Sequence, residues 1–138
     1  MARPQKSRKL LSPPLMHGFK PFGIAVCPRE SIDLQLEEYE SIRLVNYEGM
    51  SQEEAAVSME VSRPTLTRIY NSGLNKIAKA FVEGRIIRIQ GGNYEFDKEW
   101  YKCKRCHKLI LGMENHTPCN GCKVFGDEEL VPFKDPKL

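Results

Sequence analysis

Residues Ser51–Asn71, SQEEAAVSMEVSRPTLTRIYN, decide how this chain folds. Ser51 followed three residues later by Glu54 has the form of a capping box: the hydroxyl accepts from an orphan amide, and the carboxylate reaches back to the cap. A short helix is therefore predicted from Gln52, ending near Met59-Glu60-Val61. Ser62 then offers a second N-cap, and Pro64 falls in the first turn after it, where no helical partner waits for its missing N–H. The helix so opened is predicted from Arg63 to about Val82, with Leu66, Ile69, Tyr70, Ile77 and Phe81 as its buried stripe and Gly84 as its stop. Ala56 supplies a small residue at the crossing, and Val61, Leu66 and Ile69 pack back against the first helix. These are the offsets of a helix-turn-helix, with a purely structural helical hairpin as the competing interpretation. One position departs from the pattern: the turn favours Gly, and Glu60 stands there. A non-Gly residue in the left-handed region costs on the order of 1 kcal/mol.

If the second helix of this pair lies in a major groove, the side chains near its start and away from the stripe face the bases. These are Ser62, Arg63, Pro64, Thr67, Arg68 and Asn71. Arg pairs bidentately with guanine, Asn with adenine, and Thr contacts phosphate or a thymine methyl. No acidic residue occurs between Ser62 and Lys79, so nothing on the helix itself repels phosphate. Lys76 and Lys79, toward its other end, fit backbone contacts or plain surface.

Working upstream, the segment from Glu37 is helical, with Tyr39, Ile42, Arg43, Leu44, Val45 and Tyr47 leaving one apolar face and Gly49 as the stop. Its carboxylates read as helix surface. Ser31–Leu36 alternates weakly, as a short strand or a lead-in to a helix. Residues 1–23 read as an extended basic arm interrupted by Pro4, Pro13, Pro14 and Pro21. In that arm Arg3, Lys6, Arg8 and Lys9 are expected to track phosphates or enter a minor groove. Downstream, Arg85–Gln90 and Asn93–Phe96 flank Gly91-Gly92, which predicts a β-hairpin.

The 138 residues carry a net charge of only +3, but its distribution is uneven. Residues 1–20 hold five basic and no acidic side chains, residues 21–62 two against nine, and residues 63–102 eight against four. Such a chain offers a polyanion some of its faces, although solvated surface gives the same pattern. No apolar run approaches the roughly 20 residues that cross a bilayer, and no signal-peptide apolar core follows the basic start, so a cytoplasmic location is expected.

Four of the five cysteines form two pairs, Cys103/Cys106 and Cys119/Cys122, with twelve residues between the pairs. That spacing suits a tetrahedral thiolate site for Zn²⁺, with iron or an iron–sulfur cluster as the alternative. A tail of this size buries too little apolar surface to fold alone, whereas a structural zinc contributes about 10 kcal/mol or more. Cys103-Lys-Arg-Cys106-His107 also has the haem-attachment form, but that chemistry needs export and leaves the second pair unexplained. His107 and His116 read as surface residues that could displace one thiolate, and Cys27 as a small apolar residue.

The strings Glu37–Leu44 (EYESIRL from residue 38), Glu48–Ala56, Val61–Arg63, Val82–Gly84 and Gly91–Tyr94, with the opening Met1–Pro4 and Phe19–Pro21, resemble a prokaryotic family of uncharacterised proteins predicted to bind DNA. The family's helix-turn-helix is similar to the promoter-reading fourth region of sigma factors. The resemblance spans about residues 1–94 and implies fold class and DNA binding, without a target. Glu60 and Gly73 depart from it, standing where Gly and Ala are expected, and Gly73 is expected to loosen or kink its helix.

The expectation is a mainly α protein: a basic arm (1–23), a helix-turn-helix domain with a β-hairpin (24–98) and a zinc-ribbon-like tail (99–138) whose ligands are Cys103, Cys106, Cys119 and Cys122. It is expected to act as a transcription regulator on double-stranded DNA, open to homodimerisation and to docking on RNA polymerase or another transcription protein. The alternative is a metal- or redox-responsive module, or an adaptor working through the tail. No nucleophile–base pairing or phosphate loop occurs, and an enzyme is not expected.

Overall fold

The computed structural model describes residues 7–25, 28–96, 98–103, 108–112 and 130–133. Its α-helices are α1 (Leu36–Ile42), α2 (Gln52–Ser58) and α3 (Arg63–Glu83). α1 runs on as a π-helical turn, Arg43–Tyr47, closed by the Glu48 amide donating to the Arg43 carbonyl at 2.9 Å.

The strands are short and their partners distant in sequence. β1 (Arg8–Leu10) pairs in parallel with β5 (Tyr94–Phe96). β4 (Ile87–Ile89) is the centre of a second sheet, with β2 (Gly18–Phe19) antiparallel on one side and β3 (Ile32–Leu34) parallel on the other. Because β3 and β4 are parallel, a crossover must join them, and the three helices are that crossover. The third sheet is antiparallel, with β6 (Trp100–Cys103) between β7 (Leu109–Leu111) and β8 (Leu130–Pro132).

Several expectations are corrected here. The chain is not mainly α: among the described residues, eight strands in three sheets accompany the three α-helices. The hairpin about Gly91-Gly92 does not form. Both edges of β4 are taken by β2 and β3, and the Gly91 carbonyl turns instead to accept from the Leu36 amide at 3.0 Å, sending β5 away to β1. The zinc-ribbon-like unit is likewise not found: no group of three or more His, Cys, Asp or Glu side chains gathers to hold a metal among the described residues. Cys103 is buried in the third sheet with Ile110 and Leu130, while Cys106, Cys119 and Cys122 lie outside the described residues, as do Cys27, His107 and His116. The arm also differs from its reading, because Leu10 is fully buried in the main core and β2 belongs to the central sheet.

The main core gathers Leu10, Leu34, Leu36, Leu44, Ala55, Ala56, Met59, Leu66 and Ile89, so arm, central sheet and all three helices meet in one apolar cluster. α3 crosses α1 at Gly73, which is buried: a Cβ there would stand 3.0 Å from Ile42 Cδ1 and 3.1 Å from Glu38 Cβ. Gly84 ends α3 in the left-handed region at φ 66°, and the Arg85 amide closes the end on the Ala80 carbonyl.

Three glutamates of α1 are buried with the core, not displayed on its surface. Glu38 accepts from the Gln35 amide (2.8 Å), from Lys76 Nζ (2.7 Å) and from the Ser72 hydroxyl, clamping α3 onto α1. Glu37 pairs with Arg8 at 3.0 Å and so ties β1 to the same helix. Glu40, fully buried, pairs with Arg43, which also reaches Glu48 at 3.0 Å. Burial pushes the carboxyls of Glu37 and Glu40 above their ordinary range, against the opposing pull of Arg8 and Arg43 respectively. No helix of the described residues is long and apolar enough to cross a membrane.

Candidate nucleic-acid interface

α2 begins at Ser51, whose hydroxyl accepts from the Glu54 amide at 3.1 Å, and α3 begins at Ser62, whose hydroxyl accepts from the Thr65 amide at 3.3 Å. Both caps thus use the side chains that the sequence offers. Between them Glu60 sits at φ 54°, alone in positive φ among the described non-glycine residues. The connection is sealed by the Val61 amide donating to the Ala56 carbonyl at 3.0 Å. Ala55, Ala56, Met59 and Leu66 are buried across the pair, which fixes the angle between the two helices and leaves the opposite face of α3 to solvent.

On that open face Ser62, Arg63, Pro64, Arg68 and Asn71 are exposed, while Thr67 is half-buried. Thr67 donates its hydroxyl to Gln52 Oε1 at 2.6 Å, so it braces α3 against α2. Arg68 Nε donates to the Pro64 carbonyl at 3.4 Å, and no carboxylate reaches it among the described residues. Arg63 differs from its sequence reading. Although α3 carries no acid near it, Glu53 crosses from α2 and pairs with it at 2.8 Å. Both partners are well exposed, and such pairs are worth about 0–1 kcal/mol, so the arginine is retained loosely.

The predicted arm residues divide. Arg3 and Lys6 lie outside the described residues. Arg8 is turned inward with its side chain 12% exposed against Glu37, which removes it from a surface role. Lys9 remains near the pair of helices: its amide donates to the Met59 carbonyl at 3.2 Å and its Nζ lies 3.5 Å from Glu60. β1 therefore abuts the turn between α2 and α3. Lys79 is exposed, whereas Lys76 is committed to Glu38. Gln52 and Glu53, which brace Thr67 and hold Arg63, escaped the sequence reading because their partners lie across the turn, where helical periodicity carries no information.

The chain matches the family model described as "Protein of unknown function DUF134" over residues 1–97. This chain belongs to that family. A "UPF0251 protein" of Halothermothrix orenii is 45% identical over 106 residues, covering 77% of this chain and 78% of the relative. One from Desulforudis audaxviator is 42% identical over 131 residues, covering 95% and 86%, and one from Moorella thermoacetica is 39% identical over 132 residues, covering 95% and 87%. The family model thus takes in the three helices and the first two sheets, and the longer relatives continue into the cysteine-bearing tail. No solved structure matches.

Proposed function

We propose that this protein binds double-stranded DNA as a transcription regulator, with the start of α3 seated in the major groove. One observation carries the reading: Ser62, Arg63, Pro64, Arg68 and Asn71 form an exposed row at the first turns of a long helix whose other face is fixed against α2 and α1. The row combines donors that suit guanine and adenine edges with a helix N-terminus, and α3 has no acid in its first turn to offset the positive end of its dipole. Ser62 and Thr67 suit phosphate, Thr67 from a position set by Gln52. Lys9 beside the turn, continuing toward Lys6 and Arg3 in sequence, extends the basic track toward the neighbouring backbone.

Cys103, Cys106, Cys119 and Cys122 are proposed to bind one zinc. Support comes from their spacing and from the small apolar cluster in the tail, where Cys103, Ile110 and Leu130 are buried with Tyr101 against them. The exposed row on α3 favours DNA binding over a sensing or adaptor role for the tail alone.

Selection of bound duplexes from a random pool tests the proposal. A recovered consensus of a few base pairs supports it. Retention of duplexes without sequence enrichment, or of none, contradicts it.

A further inference from the structure

A broad apolar groove opens at the far end of α3, bounded by the segment after β1, the π-helical turn and the last turns of α3. Phe19, Phe22, Tyr47 and Phe81 line it and are 59, 98, 83 and 86% exposed, so Phe81 lies outside the buried stripe in which the sequence places it; Leu15 beside them is 71% exposed. We infer that this groove is the interface between two copies of the chain.

The area favours this occupant. At about 150–250 Å² per aromatic side chain, the four rings alone present roughly 500–800 Å², against about 800 Å² per partner in a stable interface and about 300–600 Å² for the largest patch of an ordinary monomer. Leu15 adds to it, and Ile24, lying against Gly84, extends the groove's edge. Its charge suits a self-complementary contact. No carboxylate is among the lining residues, and two of the cations there are already neutralised within the chain, Arg43 by Glu40 and Glu48 and Arg85 by Glu83. Lys20 is the remaining cation of the lining, so the patch pairs with its own copy about a two-fold axis with little like-charge repulsion.

The position also fits. Phe81 stands 18 residues after Arg63 on one helix, about 27 Å away at 1.5 Å per residue, so pairing through the groove leaves both α3 starts uncovered. Nothing in this inference depends on DNA binding, and its test uses no DNA.

The experiment is sedimentation equilibrium of the full chain across the micromolar range, for wild type, Phe22→Ser/Phe81→Ser and Val57→Ser. Val57 is 78% exposed on α2, away from the groove. The wild type and Val57→Ser should dimerise alike. The double variant should raise the dissociation constant roughly 100-fold or more, because two-fold symmetry removes each anchoring ring twice. Its circular dichroism should match that of the wild type, and its Tm should match at concentrations where both are monomeric, as both rings are solvent-exposed in the single chain. A wild type that stays monomeric overturns the inference, including where another protein or the chain's own carboxy-terminal residues cover the groove. A dimer unaffected by loss of the two rings overturns it as well.

Discussion

Glu60 shows how a single residue carries both the fit and the strain of the turn. The connection between α2 and α3 needs positive φ, and an L side chain adopts it at φ 54° because the Val61 amide on one side is bound to the Ala56 carbonyl and the Met59 carbonyl on the other accepts from the Lys9 amide. Glu60→Gly should therefore stabilise the protein by about 0.5–1 kcal/mol: relief of left-handed strain outweighs the added freedom of the unfolded chain and the loss of an exposed pair with Lys9. Chemical denaturation measures this, and a less stable glycine variant would show that the Glu60 side chain contributes more than its backbone costs. Gly73 teaches the reverse lesson. In sequence it reads as a weak point of α3, but Ile42 and Glu38 leave a side chain there little room, and the close crossing sets α3 against α1.

At the scale of elements, the helices were legible and the sheets were not. Ser51, Ser62 and Gly84 mark helix ends by local chemistry, so α2 and α3 fall within a residue or two of where capping places them. β4 and β5 are three-residue strands paired with partners far away in the chain, and no local pattern separates that from a hairpin. The acids of α1 were misplaced for a similar reason. Charge in a helix reads as surface unless its partners are known, and those of Glu37 and Glu38 come from β1 and α3. Burial raises the Glu37 pKa, with Arg8 opposing. A group raised in the folded state contributes stability that is fully present below its unfolded pKa and lost as pH rises through its folded value. Wild type should consequently gain stability relative to Glu37→Gln on acidification from about pH 7 to about pH 5. Denaturant midpoints of both proteins at the two pH values provide the check. A wild type that instead loses ground would mean that Arg8 outweighs burial.

For the whole molecule, the exposed residues at the start of α3 were partly legible: helical phase places Pro64, Arg68 and Asn71 away from Leu66, whereas Ser62 and Arg63, four and three residues before it, are exposed because they stand at the open N-terminus of the helix. Arg8 was not, because its burial depends on Glu37, and Arg63 was incompletely read, because Glu53 reaches it across the turn. In the tail, replacing Cys103, Cys106, Cys119 and Cys122 by Ser should abolish zinc binding and lower resistance to proteolysis after Tyr101; metal analysis of protein purified without chelator, with spectra to separate colourless zinc from iron–thiolate, decides it. Metal-free wild type would contradict that part of the account.

The central claim is that α3 reads bases, and Arg68 tests it most directly, because it is exposed and no carboxylate reaches it among the described residues. The measurement is the affinity of wild type and Arg68→Ala for the selected duplex and for a scrambled one at a single salt concentration. A loss of about 1–3 kcal/mol on the selected duplex, with a smaller loss on the scrambled one, is the predicted result. Equal losses on both would reduce α3 to a backbone contact, and no loss on either would take it out of the groove.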